Sequence, residues 1–179
     1  MRLSPLDSER KAERQAIAQR AEELKDHDIC PTCRHMQHGD VYLPAEDRAF
    51  YEDDIVRCML EIWPRNPGHT IVFLKPHFEN LSELPPALVA KVLPVIQEVT
   101  MSLKEVLGTE KVYLCTMCDG RRNHLHFQLI PRLPGDTISG SKLLVKDRNY
   151  LEDYTDIAQR LKRVSERHRK ASDVASYLE

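Results

Sequence analysis

The segment from His124 to Arg132 constrains the fold of this chain more than any other, because its side chains alternate between polar and apolar. It reads His-Leu-His-Phe-Gln-Leu-Ile-Pro-Arg. Residues two apart in a β-strand share a face, so the pattern predicts a strand with His124, His126 and Gln128 in one row and apolar side chains on the other face. Two imidazoles and a carboxamide are costly to bury without partners. The segment therefore predicts a polar platform on a sheet whose other face packs into the core.

The apolar spacing predicts four strands and one long helix between residues 55 and 130. The strands are expected over Ile55–Ile62, Thr70–Leu74, Lys111–Met117 and His124–Ile130, with a turn at Cys118-Asp119-Gly120 joining the last two. The helix is expected over Leu84–Leu107, and Pro94 should kink or divide it. Strands, then a helix, then further strands with hairpin-like turns indicate an α+β fold with a mainly antiparallel sheet.

Both ends of the chain are predicted to be helical extensions of one central domain. A helix is expected over Ser4–Lys25 with Ser4 as its cap, and a second, polar helix over Tyr150–His168. A chain of 179 residues suits one compact domain. The predicted organisation is an N-terminal extension over 1–28, a central domain over 29–135 and a C-terminal extension over 136–179.

The charge balance restricts the partners of this protein. Lysine and arginine (26) nearly balance aspartate and glutamate (28), for a formal net charge of −2. No global basic field recruits nucleic acid, so sequence-specific nucleic-acid binding is not expected. No segment approaches the roughly 20 apolar residues of a membrane helix, and residues 1–28 lack the apolar core of a signal peptide. The expectation is a cytoplasmic protein without a membrane partner.

The His124-x-His126-x-Gln128 row, followed by Pro131-Arg132, resembles the signature of the histidine-triad superfamily. Gln128 stands where the commonest members have a third histidine, as in galactose-1-phosphate uridylyltransferases and dinucleoside polyphosphate phosphorylases. The segment Pro67–His77 is similar to the glycine-histidine strand of that family and its lysine-proline-histidine corner. The resemblance covers about residues 30–132. It implies an antiparallel sheet of about five strands, a long helix packed across it, and a homodimer.

The resemblance also implies a reaction at phosphorus. His126 would attack the α-phosphorus of a nucleotide conjugate and form a nucleotidyl-histidine intermediate. Gln128 cannot shuttle protons, so its amide would donate a hydrogen bond to a phosphate oxygen. Nucleotidyl transfer, phosphorolysis and hydrolysis of dinucleoside polyphosphates or related conjugates all remain open at this point.

Five further residues are candidate nucleotide ligands: Glu61, His69, Arg121, Arg122 and Asn123. Glu61 occupies the position where the family usually has an aspartate that contacts the ribose, although a solvated carboxylate is equally consistent with the sequence. His69 could orient the nucleophile or bond to the backbone. The arginines could clamp a phosphate, or they could be exposed on a hairpin.

The pair Cys30-Pro-Thr-Cys33 has the spacing of a zinc knuckle. The resemblance supplies two further ligands, His77 and His124, for a structural Cys2His2 zinc site. Two other sites stay open: a local one that uses His35 and His38, and a four-cysteine one that adds Cys115 and Cys118. A thioredoxin-like redox role for either cysteine pair lacks a βαβ context.

A second function belongs to a different class. The segment Gly120–Asn123 departs from the family pattern, and the terminal helices lie outside the resemblance. These features are also consistent with a zinc-stabilised nucleotide-binding or protein-interaction module whose catalysis is vestigial.

Overall fold

The computed structural model describes residues 3–117 and 120–176, and its centre is a five-stranded antiparallel sheet. In chain order the elements are β1 (Leu3–Pro5), α1 (Ser8–Asp26), α2 (Pro31–His38), β2 (Ala49–Glu52), β3 (Val56–Leu60), β4 (Thr70–Leu74), α3 (Pro86–Leu107), β5 (Lys111–Cys115), β6 (His126–Arg132), α4 (Ser141–Leu144), β7 (Asn149–Leu151) and α5 (Tyr154–Ser176). A short 3-10 turn over Leu81–Glu83 precedes α3. The strand order in the main sheet is β2-β3-β4-β6-β5. The predicted α+β fold, its five strands and its long helix are confirmed.

One face of the main sheet is apolar and forms the core. Alternate residues of β3, β4 and β6 contribute Val56, Cys58, Leu60, Val72, Leu74, Phe127 and Leu129. Helices α3 and α5 cover this face and contribute Val99, Leu103, Ile157 and Leu161, all of them fully buried. Removing this apolar surface from water is the main stabilising contribution to the fold.

The opposite face of the sheet is more polar and lies beneath α1 and α2. Ile71 and Phe73 of β4 and His126 and Gln128 of β6 line the same cavity as residues of the two helices. The alternation of β6 therefore divides the molecule into a core side and a cavity side, as the sequence predicts.

Helix α1 begins four residues later than expected. Asp7 caps it, because the extended Asp7 backbone lets its Oδ1 accept a hydrogen bond from the Arg10 amide at 2.8 Å. The predicted Ser4 cap is wrong: Ser4 lies in β1, opposite Tyr150 of β7. The Ser4 backbone is used in that second, two-stranded sheet.

Because β7 pairs with β1, the C-terminal helix begins later than the sequence predicts. Residues 149–151 form β7, which pairs with β1, and α5 begins at Tyr154 rather than at Tyr150. A contact between the two ends of the chain cannot be read from local periodicity. The two extensions therefore meet each other.

Helix α3 has its expected extent and is not divided at Pro94. Its first turn carries Pro86, and Gly108 ends it in the left-handed conformation. Pro94 is exposed, so water can reach the carbonyl that loses its helical partner. By length and a mean hydropathy of 1.3, α3 could span a membrane, contrary to the expectation that no segment approaches this limit. Its buried side chains, however, pack on the sheet.

The remaining strand boundaries differ slightly from the expectations. The predicted strand over Ile55–Ile62 is shorter and pairs with β2, which the sequence did not reveal. Strand β5 ends at Cys115, and β6 begins at His126 and continues to Arg132. Two residues of the expected Cys118-Asp119-Gly120 turn, Cys118 and Asp119, lie outside the described residues.

Gly68 fixes the approach of β4 to α3. Its φ is +80°, and a Cβ at this position would lie 2.3 Å from Leu107 Cδ1 and 3.2 Å from Pro131 Cγ. Both the left-handed backbone and the lack of space require glycine. The turn before β4 is therefore held against the end of α3.

Replacing Gly68 with alanine should destabilise the protein by about 2–4 kcal/mol, from backbone strain plus overpacking. The matched control is Gly108→Ala, which has a φ of +63° and no atom within 4 Å of the added Cβ. It should cost only the backbone strain of about 1–2 kcal/mol. Urea unfolding of both variants measures the difference, and equal losses would contradict the role of close packing at Gly68.

Candidate functional site

The polar face of β6 forms the floor of a cavity of about 690 Å³. Arg14, Ile17 and Ala21 of α1 and Thr32 and Met36 of α2 line one side of it. Trp63, Glu61 and Arg148 line another part. The N-terminal helix therefore covers the site.

His126 is held in a single orientation by the backbone of its own strand. Its Nδ1 lies 2.9 Å from the carbonyl oxygen of His124. Because a carbonyl only accepts, Nδ1 carries the proton and Nε2 keeps its lone pair. Nε2 lies 3.3 Å from Nε2 of Gln128, whose amide donates to it. The unprotonated Nε2 is the atom that can act as a nucleophile.

The orientation of the Gln128 amide is fixed by two donors. His69 Nε2 lies 3.1 Å from Gln128 Oε1, and Arg65 Nη1 lies 3.2 Å from the same oxygen. Because Oε1 accepts from both, the NH2 group must point toward His126. The hydrogen bonds run from His69 through Gln128 to His126, and the buried polar atoms of this row have partners, as burial requires.

His69 is fully buried and neutral. Its Nδ1 accepts from the Arg65 amide at 3.4 Å, which leaves Nε2 to donate to Gln128. Burial lowers the pKa of His69 to about 4. Both roles considered from the sequence are therefore present: His69 bonds to the backbone, and it orients the residue next to His126.

A second cluster of side chains joins α2 to the main sheet. Cys30, Cys33, His77 and His124 each offer one ligand atom, and these atoms all lie within 4.8 Å of one another. Cys33 Sγ is 3.3 Å from His77 Nδ1, and Cys30 Sγ is 3.5 Å from His124 Nδ1. The Nε2 of His124 donates to the Leu74 carbonyl at 2.6 Å, so Nδ1 is free to bind a metal. Burial lowers the pKa of His124, which favours the neutral imidazole that a metal needs.

The spacing of these atoms fits tetrahedral zinc. Zn–S bonds of about 2.3 Å and Zn–N bonds of about 2.0 Å place sulfur and nitrogen ligands about 3.5 Å apart. The observed sulfur–nitrogen separations of 3.3–3.5 Å match this value. Two thiols and two imidazoles are also the donor set of a closed, structural zinc site.

The two alternative metal sites differ from this arrangement. His35 Nδ1 accepts from the amides of Val41 and Tyr42, so the local site with His35 and His38 is not formed. Cys115 ends β5 opposite Gln128 and is not among the four clustered residues. Cys118 lies outside the described residues.

Glu61 lies at the cavity wall, directly after β3. Its Oε1 accepts from the Trp63 amide at 3.1 Å, and its Oε2 lies 3.9 Å from Arg148 Nη1. Only about a fifth of its side chain is exposed. The carboxylate is thus held at the cavity wall.

The residues Arg121, Arg122 and Asn123 are engaged elsewhere. Arg121 pairs with Asp26 at 3.3 Å, and Arg122 forms a two-pronged contact with Asp28. Asn123 Nδ2 donates to the Glu79 carbonyl at 2.7 Å. None of the three is among the residues that line the cavity. In this structure they fasten the end of α1 and the segment after β4.

The arginines that lie at or beside the site are ones that the sequence analysis did not select: Arg14, Arg48, Arg57, Arg65 and Arg148. Arg14 and Arg148 line the cavity, and Arg65 touches Gln128. The only signal in the sequence is that Arg65 belongs to the turn-rich segment Pro64–Gly68. Arg14 and Arg148 lie on the extensions, far in sequence from the histidine row.

Comparison with known families agrees with this geometry. The model of the HIT domain matches residues 44–135. The chain belongs to the HIT family. The match contains β2 to β6, and therefore the row of His124, His126 and Gln128, whereas Cys30, Cys33 and Arg14 lie before it.

Two curated HIT relatives are similar in sequence. An uncharacterised HIT-like protein of Methanocaldococcus jannaschii is 36% identical over 113 residues, which is 60% of this chain and 82% of that protein. An adenylylsulfatase of Arabidopsis thaliana is 28% identical over 98 residues, which is 52% of this chain but only 50% of that protein. The family is thus shared with a protein named as an enzyme.

Solved structures share the fold. A zinc-bound histidine-triad family protein of Mycobacterium smegmatis aligns with a TM-score of 0.63 at 25% identity, covering 79% of this chain and 96% of that chain. A uridylyltransferase aligns with a TM-score of 0.63 at 20% identity, covering 88% of this chain and 50% of that chain. The second similarity shows the fold alone.

The buried His69 predicts a pH-dependent stability. The unfolded state binds a proton near pH 6.5, whereas the folded state binds it only near pH 4. The stability that this neutral imidazole contributes is therefore complete above pH about 6.5 and is lost as the pH falls toward 4. Between pH 7 and pH 5 the wild type should lose roughly 2 kcal/mol more than His69→Gln.

Urea unfolding at the two pH values measures this difference. The exposed His27→Gln variant is the matched control for the loss of an imidazole, and it should follow the wild type. If His69→Gln and the wild type lose equal stability between pH 7 and pH 5, His69 does not carry this linkage.

Proposed function

We propose that this HIT protein transfers or hydrolyses a nucleotidyl group through a covalent intermediate on His126. Its substrates are dinucleoside polyphosphates or related nucleotide conjugates. The observation that carries the proposal is the orientation of His126, whose Nδ1 proton is held by the His124 carbonyl while Nε2 keeps its lone pair at the cavity floor. A neutral, pre-oriented imidazole is the form that attacks phosphorus.

In the first step, Nε2 of His126 forms a bond to the α-phosphorus, and the bond from phosphorus to the leaving oxygen breaks with its electron pair on that oxygen. In the second step, water or phosphate attacks the same phosphorus, and the electron pair of the N–P bond returns to Nε2. The acceptor becomes part of the product. When the acceptor is water, its proton is released to the solvent. His126 is regenerated without a change in its tautomer.

Gln128 supplies a hydrogen-bond donor and cannot transfer a proton. Its Oε1 is occupied by His69 and Arg65, so its NH2 group faces His126 and would donate to a phosphate oxygen bound beside that residue. Such a preorganised donor stabilises the negative charge that develops at phosphorus. Because the amide cannot supply a proton, it favours leaving groups that depart as stable anions.

The nucleoside would occupy the cavity between the sheet and α1. Glu61 would accept hydrogen bonds from ribose hydroxyls, and apolar residues such as Ile17 and Met36 would offer surface to a base. The phosphate clamp expected of Arg121, Arg122 and Asn123 is not part of this proposal, because all three already contact α1 or the segment after β4.

The four clustered residues Cys30, Cys33, His77 and His124 would hold a structural zinc ion. The ion would supply no chemistry to the reaction, since a Cys2His2 site leaves no open coordination position. It would fix α2 to the end of β4 and to the residue that enters β6. His126 follows His124 by two residues, so the cluster would set the position of the nucleophile.

We also propose that the protein is a cytoplasmic homodimer. Four free cysteines among the described residues suit a reducing compartment. Strand β5 lies at the edge of the main sheet and carries the exposed Leu114, which suits pairing with a second copy.

The covalent step is tested by intact-mass analysis after rapid, acid-free quenching. Mixing the wild type with diadenosine polyphosphates and nucleotide sugars should give an adduct of one nucleotidyl group, which His126→Ala abolishes. Release of mononucleotide should fall by at least about a thousandfold in this variant, as expected for loss of a nucleophile. Nucleotide binding should persist in His126→Ala, which separates chemistry from folding.

One combination of results would contradict the proposed reaction. If wild type and His126→Ala bind nucleotide equally and neither gives an adduct or releases mononucleotide, the protein is a zinc-stabilised binding module. Release without a visible adduct that still depends on His126 supports fast breakdown of the intermediate.

The zinc site is tested by elemental analysis of the purified protein. We expect about one zinc ion per chain and its loss in Cys33→Ala, with Tm lower by about 10 °C because a metal that binds only the folded state stabilises it. His38→Ala is the matched control and should keep the metal, since His38 lies outside the cluster. Zinc retained by Cys33→Ala but lost from His38→Ala would contradict the proposed ligand set.

A further inference from the structure

Three arginines from separate parts of the chain lie at the cavity: two of them line it, and the third contacts Gln128 in its floor. Arg14 belongs to α1, Arg65 to the loop after β3, and Arg148 to the segment just before β7. Arg65 Nη1 lies 3.2 Å from Gln128 Oε1, and Arg148 Nη1 donates to the Trp63 carbonyl at 3.0 Å. Arg14 and Arg148 line the cavity that also contains His126.

The three guanidinium groups act on one another. Burial lowers the pKa of Arg148, and Glu61 opposes this effect. Repulsion from Arg65 and Arg14 lowers the same pKa further. Burial also lowers the pKa of Arg65, and Arg14 adds to that effect. Repulsion among these cations thus contributes to the lowered pKa values of Arg65 and Arg148, although the three groups belong to distant segments.

The carboxylates around this group do not balance its charge. Glu61 approaches Arg148 at 3.9 Å, but its other oxygen is used by the Trp63 amide. Within the described ranges, 3–117 and 120–176, Arg14 and Arg65 have no carboxylate within ion-pair distance. Like charges that are brought together without counter-charges destabilise a fold. This arrangement therefore suits an anion with at least two negative charges.

Two buried N–H groups beside the cavity are also unpaired. Arg65 Nε and Trp63 Nε1 have no hydrogen-bond partner among the residues that the structure describes. Trp63 lines the cavity and is 9% exposed. A buried donor without a partner costs free energy, so Trp63 and Arg65 each carry an unsatisfied polar group beside the cavity.

We propose that Arg14, Arg65 and Arg148 bind the leaving group of the substrate, a polyphosphate chain attached to the α-phosphorus. This inference rests on the proposed function of His126. When Nε2 of His126 bonds to the α-phosphorus, the bond to the bridging oxygen breaks and its electron pair stays on the departing phosphate. The arginines stabilise that charge by hydrogen bonds to the non-bridging oxygens.

The same groups exclude other substrate classes. An amine leaving group needs a proton, and neither the amide of Gln128 nor a permanently charged guanidinium can supply one. A neutral leaving group would bring no charge to the three cations. The site therefore selects phosphoanhydrides, such as dinucleoside polyphosphates, over nucleoside phosphoramidates.

The selecting residues belong largely to the extensions. Arg14 and Arg148 both lie outside residues 44–135, the part that matches the HIT domain. The pairing of β1 with β7 brings the two extensions together. The extensions thus give this HIT protein a leaving-group site that the matched domain does not contain.

The test compares two substrates that share a nucleotide and differ in the leaving group: diadenosine tetraphosphate and the p-nitrophenyl ester of adenosine 5′-monophosphate. Neither leaving group needs protonation, but only the first carries phosphates. Arg14→Gln and Arg148→Gln should lower kcat/KM for the tetraphosphate by about tenfold or more, as for loss of a charge-assisted hydrogen bond. The value for the ester should change by less than about twofold. Lys11→Gln, which removes an exposed cation of α1 outside the cavity, should change neither.

A binding measurement that needs no turnover completes the test. Titration calorimetry with inorganic tripolyphosphate should show binding to wild type and to His126→Ala, about tenfold weaker binding to both arginine variants, and much weaker binding of inorganic sulfate. Three outcomes would overturn the inference. The arginine variants could lose kcat/KM equally for both substrates, tripolyphosphate could bind the variants as tightly as it binds wild type, or sulfate could bind as tightly as tripolyphosphate. Arginine-dependent tripolyphosphate binding with neither a His126 adduct nor His126-dependent release of mononucleotide would support the anion site and contradict only the proposed reaction.

Discussion

A buried carboxamide needs partners for both its oxygen and its nitrogen, and the three hydrogen bonds of Gln128 determine the geometry of the cavity floor. Its oxygen accepts from His69 and from Arg65, so its nitrogen must face His126. His126 in turn donates to the carbonyl of His124. Each of these bonds fixes the proton position of the next group. The nucleophilic lone pair is therefore oriented by the burial of a row of polar side chains.

This row also fixes the register of the central sheet. Strand β6 buries apolar side chains on one face and the polar row on the other, so a shift by one residue would exchange the two sets. Such a shift would place His126 and Gln128 in the apolar core and Phe127 at the cavity floor. The cluster of Cys30, Cys33, His77 and His124 resists the same shift, because its ligand atoms come from α2, the end of β4 and the start of β6.

The terminal extensions contribute side chains to the cavity wall. Helix α1 lies over the cavity, and Arg20 in its C-terminal half donates to the carbonyls of Asp40 and Val41. Just beyond, at the C-terminal end of the helix, Arg121 and Arg122 pair with Asp26 and Asp28. Exposed ion pairs of this kind contribute little each. In the proposed reaction, the position of α1 would decide whether Arg14 reaches the substrate.

The sequence by itself determined the features that depend on local periodicity and spacing. The alternation of residues 124–132 predicted both faces of β6, the apolar spacing of residues 84–107 predicted α3, and the resemblance identified the family and the four clustered ligands. Only the tertiary structure decided the pairing of β1 with β7, the contacts of Arg121 and Arg122, and the placement of Arg14, Arg65 and Arg148 at the cavity. The physical reason is that a long charged side chain carries no periodic signal: its partner is set by which distant segment packs beside it.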